Sequence, residues 1–392
     1  MSELIKFLNL YETVEEKITQ LKEQFAITAS NDPVLPDLYS LNYSQLDSPK
    51  TSPIVRECRS IIVNLSTNEI VARSFDRFYN YGEAQNVVDV DLSNAVAREK
   101  IDGSIFLFYN TGGVWYPASR KTTTARNSMM KVNDKPLPML EIVRDFYDIE
   151  HEWVLEEPEG LKGTWIEEYN YFEFVYKLQD VFGSQRWGSL TYVVELVSPY
   201  NMVISEYKKC DIYFLGATNK DGETSYDPDL GANFNFPEEV TVSSMEEVQD
   251  FISSLQKKRN YFVEGVVVTD QNGNKAKIKT NAYVAAHLAG GENPTHNSIV
   301  KVVSTYEEDE YLTYFPEHKS VLQPYIDKRK QLIDGIRTAL NIAASMKNEG
   351  KTNKDISLEL KANFQVAMPF VMKALNTGDY EITTKTIEKH LK

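Results

Sequence analysis

"AREKIDGSIFLFYN", residues 97–110, sets a lysine one residue ahead of an Asp-Gly-Ser turn, at the mouth of an apolar run. The turn residues and the aromatic run predict a strand, a tight turn and a second strand. A surface lysine beside a hairpin would account for Lys100 alone. A lysine that bonds to phosphorus needs more, because a protonated amine is no nucleophile. It needs an apolar wall and cationic neighbours that favour the neutral form. "IFLFY" (105–109) offers the wall. "KAKIKT" (275–280) offers the cations, since alternate residues of a strand share a face and Lys277 then lies beside Lys279. Taken singly, that pair describes a solvated strand face.

Two acids sit in apolar strands, Glu195 in "YVVELVSP" and Glu264 in "VEGVVV". An unpaired carboxylate among valines is costly. Each is therefore an edge residue, or a carboxylate that holds a metal or orients a water.

Outward from these strands, the chain shows a mixed α+β pattern. Leu4, Phe7, Leu8 and Tyr11 recur at helical spacing, and a polar, Pro-containing stretch is expected up to residue 50. "RECRSIIVNL", "EIVARSFDRFYNY", "VWYPAS", "LTYVVELV", "CDIYFLGAT" and "YFVEGVVVTD" read as strands. "LPMLEIVRDFYDIE" (137–150) shifts to helical periodicity. Ser244 and Glu247 have capping-box spacing ahead of Val248, Phe251, Ile252 and Leu255. The strand pattern fades after about residue 290, and "TYEEDEYL" (305–312) is an acidic stretch that could mark a boundary. Two domains are expected, residues 1–290 and a helical domain of residues 291–392.

The net charge of −15 argues against a protein that coats nucleic acid without specificity. From Ile326 onward, however, twelve Lys and Arg stand against eight Asp and Glu, so a polyanion would be met locally. Cys58 and Cys210 are far apart and without a CxxC neighbour, which excludes a zinc ribbon and fits a reducing, cytoplasmic setting. No apolar run is long enough to cross a bilayer, and the acidic start does not read as a signal peptide. "EGKT" (349–352) imitates the end of a P-loop, but Ser345 stands where the first glycine belongs and no apolar strand precedes it. "QKKRN" (256–260) reads as basic residues favouring a helix C-terminus.

Order makes the separate features specific. Lys100-Ile-Asp102-Gly103-Ser104, Ser119-Arg120, Glu195, Glu264-Gly265 and Lys277-Ile-Lys279 follow one another as in the covalent nucleotidyltransferases. "RECRSIIVN" with "RSFDRFYNYGE" ahead of the lysine, "KIKTNAYVAAH" behind the last motif and "LYSLNYSQ" (38–45) narrow the resemblance. The chain resembles ATP-dependent RNA ligases of the bacteriophage single-strand, tRNA-repair type over about residues 20–290. The helical tail matches only in position and character.

This resemblance implies an α+β, ATP-grasp-like nucleotidyltransferase domain of antiparallel sheets with flanking helices, followed by an all-helical domain. It implies ATP and Mg²⁺, or Mn²⁺ in its place, with single-stranded RNA or cleaved tRNA as partner, no membrane, and a monomer. Lys100 becomes the adenylylated lysine. Glu99 would read the adenine amino group, and Gly103 would let backbone approach the ribose and phosphate. Arg59, Arg77 and Arg120 would contact ribose or phosphates. Tyr79 would line the nucleotide pocket and Tyr283 would pack near the base. Glu195 would bind the ribose hydroxyls, Glu264 would act with metal, and Lys277 and Lys279 would grip the α-phosphate. Two departures stand out: Arg77 where that group has lysine, and Ser60 where it has glycine. A DNA ligase or GTP-using capping enzyme is the rival within the superfamily, though both normally carry an OB-fold where this chain turns helical. A non-catalytic RNA-binding relative is the rival outside catalysis.

Overall fold

Alternation of apolar and polar residues decides which segments pair and which faces they bury. The computed structural model describes all residues except 1, 46, 84–87, 133–134, 151–152, 157–164, 183–188, 202, 288–293 and 378–381. It divides into two compact units, Met1–Tyr283 and Val284–Lys392. The boundary expected at 290 lies outside the described residues.

In the first unit, helices Glu3–Leu8 and Val14–Phe25 precede a four-stranded antiparallel meander, Ile27–Asp32, Leu35–Tyr43, Arg59–Asn64 and Glu69–Arg73. Thr13 and Glu16 close a reciprocal capping box on the second helix. Leu4, Leu8 and Leu21 of the helices pack on Ile27, Leu41, Ile61 and Val63 of the sheet. The first two strands correct the expectation of a polar stretch up to residue 50. Leu38 and Leu41 are buried, and Pro36 lies ahead of the first residue that pairs with the third strand, where a missing N–H breaks no ladder.

Two five-stranded sheets follow. One has the order Glu239–Val242, Ala95–Lys100, Gly265–Thr269, Lys275–Lys279, Tyr79–Asn80, antiparallel except for the last pair. The other has the order Thr224–Ser225, Asp211–Thr218, Thr191–Val197, Ser104–Thr111, Val114–Ser119, antiparallel throughout. Lys100 ends a strand of one sheet and Ser104 starts a strand of the other, so residues 101–103 cross between them. Strand Ser104–Thr111 buries Phe106, Phe108 and Tyr109 in an aromatic core with Trp115, Phe182, Tyr192 and Phe234. Helix Glu168–Phe182, absent from the sequence expectations, adds Tyr171, Phe174 and Leu178 to that core. Helix Met245–Lys258 starts where expected: Ser244 accepts from the Glu247 amide, and Val248, Ile252 and Leu255 are buried.

The second unit is helical among the described residues. Its 30-residue helix Lys319–Asn348 buries Leu322, Ile326, Ile336, Ala339 and Ala343 at helical spacing. "TYEEDEYL" is not a boundary but contributes helix Glu308–Tyr314, where the Glu308 carboxylate is buried against the Arg329 guanidinium at 3.0 Å. "EGKT" ends one helix and begins another: Gly350 takes φ +78° and Thr352 caps Asn353–Asn363. No helix among the described residues is long and apolar enough to cross a membrane.

Gly265 carries the tightest constraint near the end of the lysine strand. Its φ is +150°, and a Cβ there would lie 2.1 Å from the Ile278 carbonyl oxygen. Gly265→Ala is expected to destabilise the first unit by about 2–3 kcal/mol, the range of a strained backbone position, and to lower the melting temperature in a thermal scan by several degrees.

Candidate active site

Strand register assembles the site. Gly265 pairs with Lys100 on one side and with Lys279 on the other. Glu264, just ahead of Gly265, therefore falls between two lysines. Its Oε2 lies 2.7 Å from Lys100 Nζ and its Oε1 lies 3.1 Å from Lys279 Nζ. Only 3% of Glu264 is exposed, so both ion pairs act away from bulk water.

Lys100 lines a cleft of about 680 Å³, counted to its open mouth, between the two five-stranded sheets. Arg59, Glu195 and Lys277 share it, with Phe75, Phe78 and Ile105 as apolar walls. Lys275 lines it as well, and was missed although the same period of two that selects Lys277 and Lys279 selects it. Of "IFLFY", only Ile105 faces the cleft; the other four residues are core. Phe75 and Phe78, ahead of the motifs, supply the wall instead.

Glu195 sits opposite Ile105 in register. Burial pushes its carboxyl up to about 7, against the pull of Lys100 and Arg59 and with the repulsion of Glu264 and Asp102. Burial also lowers the Arg59 guanidinium from its ordinary value.

Beyond Arg59 lies a second cationic group. Arg77 donates to the Tyr43 hydroxyl at 2.5 Å, and the Arg77 and Arg120 guanidiniums lie 5.0 and 5.2 Å from the Tyr43 ring centre. Burial alone would raise the Tyr43 phenol, but Arg77, Arg120 and Arg59 together pull it below its ordinary value. Among the described residues none of these three arginines is ion-paired, and Arg77 Nε and Arg120 Nε are buried without a hydrogen-bond partner. Three guanidiniums around one phenol form an anion-receiving group. Nothing local in "LYSLNYSQ" marks Tyr43 as a site residue, because its three arginines come from distant segments. Ser60 helps aim Arg59. It is the extra residue where Arg59 pairs with Asn42 and Ile61 with Leu41, and it takes φ +60° at the position where the resembled group has glycine.

Three expected residues have other partners. Glu99 alternates to the face of its strand opposite Lys100, where Arg259 Nε donates to its Oε1 at 3.0 Å, Arg259 Nη2 donates to Oε2, and the Tyr261 hydroxyl donates at 2.7 Å. That carboxylate is held on both oxygens, and Glu99 also belongs to the lining of the cleft. Arg259 thus leaves the basic run "QKKRN" for a buried acid, while Lys257 and Lys258 keep the helix-end position. Tyr79 is buried with its hydroxyl donating to the Lys50 carbonyl, and it lines a neighbouring hollow with Arg56 and Arg77 rather than the Lys100 cleft. Tyr283 donates to Asp102 Oδ1 at 2.6 Å, and Lys279 Nζ lies 5.4 Å from its ring centre.

Asp102 and Gly103 fix the crossing that carries Lys100. Asp102 Oδ2 accepts from the Ile204 and Ser205 amides at 3.0 and 2.8 Å, and its own amide donates to the Tyr207 hydroxyl at 3.3 Å. At Gly103 a Cβ would lie 2.3 Å from the Leu196 carbonyl oxygen, so only glycine lets the chain pass this close to strand Thr191–Val197 as it enters the second sheet.

Among the described residues, no three His, Cys, Asp or Glu side chains are grouped to hold a metal. A divalent cation would fit this cleft only with anionic oxygens of a ligand completing its shell.

Two predictions follow from the buried acids. Arg259→Ala strands the Glu99 carboxylate and is expected to cost about 3 kcal/mol in urea unfolding, as for a broken buried ion pair. For Glu195 the folded value is raised to about 7 from 4.5, so the folded chain holds a proton that the unfolded chain has released. Stability is expected to fall as pH rises from about 5 through 7, and Glu195→Gln is expected to flatten that part of the profile.

Comparison with known proteins agrees with the order of the motifs. A family model described as RNA ligase matches residues 57–283. A protein of Autographa californica nuclear polyhedrosis virus, described as a bifunctional polynucleotide kinase/RNA ligase, is 28% identical over 324 residues. That match takes in 79% of this chain but 42% of the viral protein, so the chain spans about two fifths of the length of that relative. Among solved structures, an archaeal ATP-dependent RNA ligase is similar with a TM-score of 0.42 at 12% identity, covering 81% of this chain and 79% of that one. A Naegleria gruberi RNA ligase variant solved with ATP and Mn gives a TM-score of 0.30 at 13% identity, covering 50% of this chain and 52% of that one. Since the family model spans more than half of the chain and contains Arg59, Lys100, Glu195, Glu264, Lys277 and Lys279, the chain belongs to the RNA ligase family.

Proposed function

We propose that the chain is an ATP-dependent ligase that joins a 5′-phosphate to a 3′-hydroxyl of single-stranded RNA through a lysine–AMP intermediate. The observation that carries this reading is the Lys100 amine, 2.7 Å from a buried carboxylate that also holds Lys279, at the edge of a cleft with Arg59 and Lys277. An ammonium must lose a proton before it attacks, and Glu264 is within reach to take it. Lys277 and Lys279 then face the charge that develops on the α-phosphate. The guanidiniums of Arg59, Arg77 and Arg120 suit the outer phosphates of ATP, or the incoming 5′-phosphate. Glu195 suits the ribose hydroxyls.

In the first step, Lys100 Nζ forms a bond to the α-phosphorus and the bond to pyrophosphate breaks. In the second, an oxygen of the RNA 5′-phosphate displaces the lysine, which regains its proton. In the third, the RNA 3′-hydroxyl attacks the activated 5′-phosphate and AMP leaves. Each step is an in-line displacement at phosphorus, so one cationic cleft serves all three. Glu264 is the carboxylate best placed to share a divalent cation with ATP, and such an ion would supply charge neutralisation on the phosphates. A tRNA-repair role follows the same chemistry, with a cleaved tRNA providing both ends.

Incubation with α-labelled ATP or GTP and magnesium, followed by a denaturing gel, tests this reading. Label is expected on the chain from ATP, and none on Lys100→Ala, with folding of the variant checked by circular dichroism. Label from GTP alone would point to capping chemistry. A folded chain freed of bound AMP that takes no label would be a binding protein. Sealing of 5′-phosphorylated single-stranded RNA in preference to nicked duplex DNA is expected, and the reverse preference would mark a DNA ligase.

A further inference from the structure

The helical unit contains a cationic hollow of its own. This groove, about 810 Å³ counted to its open mouth, is lined by helix Lys319–Asn348, by helix Asn353–Asn363 with the turn after it, and by helix Thr384–Leu391. Lys328, Lys361 and His390 come one from each of these helices, and no acidic residue lines the groove. Among the described residues neither lysine makes an ion pair. Two exposed lysines lining one hollow give it a positive potential that favours an anion. Burial, and after it the Lys328 ammonium, holds the His390 imidazole below its ordinary value, so at neutral pH it adds a polar ring rather than a third charge.

The rest of the lining is not that of a simple ion site. Phe364 offers a half-buried ring, and Gln331 and Asn363 offer exposed side-chain amides. A ring beside paired donors and acceptors suits an unpaired base, and the lysines suit the phosphate next to it. The surrounding charge agrees, because residues 326–392 carry an excess of basic over acidic side chains within a strongly acidic chain.

We propose that this groove binds the RNA substrate through one backbone phosphate, held by Lys328 and Lys361, and an adjoining unpaired base stacked on Phe364. The proposal rests on the ligase reading and adds to it a second point of RNA contact, on residues that take no part in the chemistry at Lys100.

The test compares the full chain with the double variant Lys328→Ala/Lys361→Ala and with Phe364→Leu. Binding of a fluorescent, 5′-phosphorylated single-stranded RNA is followed by anisotropy at several salt concentrations, beside AMP labelling of Lys100. The double variant is expected to lower the slope of log affinity against log salt by about 0.7, the value for one phosphate contact on a single strand. Phe364→Leu is expected to weaken binding about fivefold without changing that slope, as loss of a stacking surface does. Labelling by ATP should be unchanged in all three proteins. If the unsubstituted chain seals RNA while both variants bind it with unchanged affinity and slope, the groove proposal is wrong and the ligase reading stands. If the unsubstituted chain takes AMP but neither binds nor seals RNA, the ligase reading fails and the groove proposal fails with it.

Discussion

A buried carboxylate shared by two lysines is the interaction on which the site depends. Glu264 is held away from water with Lys100 on one oxygen and Lys279 on the other. Removing one lysine would leave the buried carboxylate with a single ion pair, a larger loss than that of a surface ion pair. The glutamate can stand there because Gly265 follows it. Only a residue without a Cβ permits the backbone to pass so close to Ile278 and bring three strands into this register. The same arrangement that satisfies the buried charge keeps the amine at a fixed place in the cleft.

The turn after Lys100 is held as firmly. Asp102 accepts two amides with one oxygen and the Tyr283 hydroxyl with the other, while Glu99 on the opposite face of the strand is clamped by Arg259 and Tyr261. The Tyr207 and Tyr261 rings pack 4.8 Å apart, which joins the two anchor points. The residues flanking Lys100 thus serve to immobilise it. Such preorganisation costs nothing further when charge develops on a bound phosphate.

Much of this was legible in the sequence because strands obey a short period and motifs have fixed order. The period of two placed Lys277 and Lys279 on one side, and it would have placed Lys275 there too. What stayed hidden depends on pairing between distant segments. Nothing local distinguishes Arg259 from the lysines before it, since its partner Glu99 is brought to it only by the fold. Alternation does predict that Glu99 and Lys100 point apart, and they take different partners, Arg259 and Glu264. Tyr79 and Phe78 differ by one position, and the short parallel pairing takes Tyr79 into the sheet while Phe78 lines the cleft. The strands at Ile27–Asp32 and Leu35–Tyr43 were masked by a proline and polar residues. Their apolar face becomes evident only with the two helices packed upon it.

The most direct measurement of the central claim is the position of the nucleotide on the chain. After reaction with ATP and removal of free nucleotide, digestion at neutral or alkaline pH preserves a phosphoramidate, and peptide mass spectrometry locates it. A single adenylyl group on Lys100, with Lys275, Lys277 and Lys279 unmodified, is the expected result. An adenylyl group on any of those other lysines would contradict the assignment of the nucleophile and the geometry argued for it.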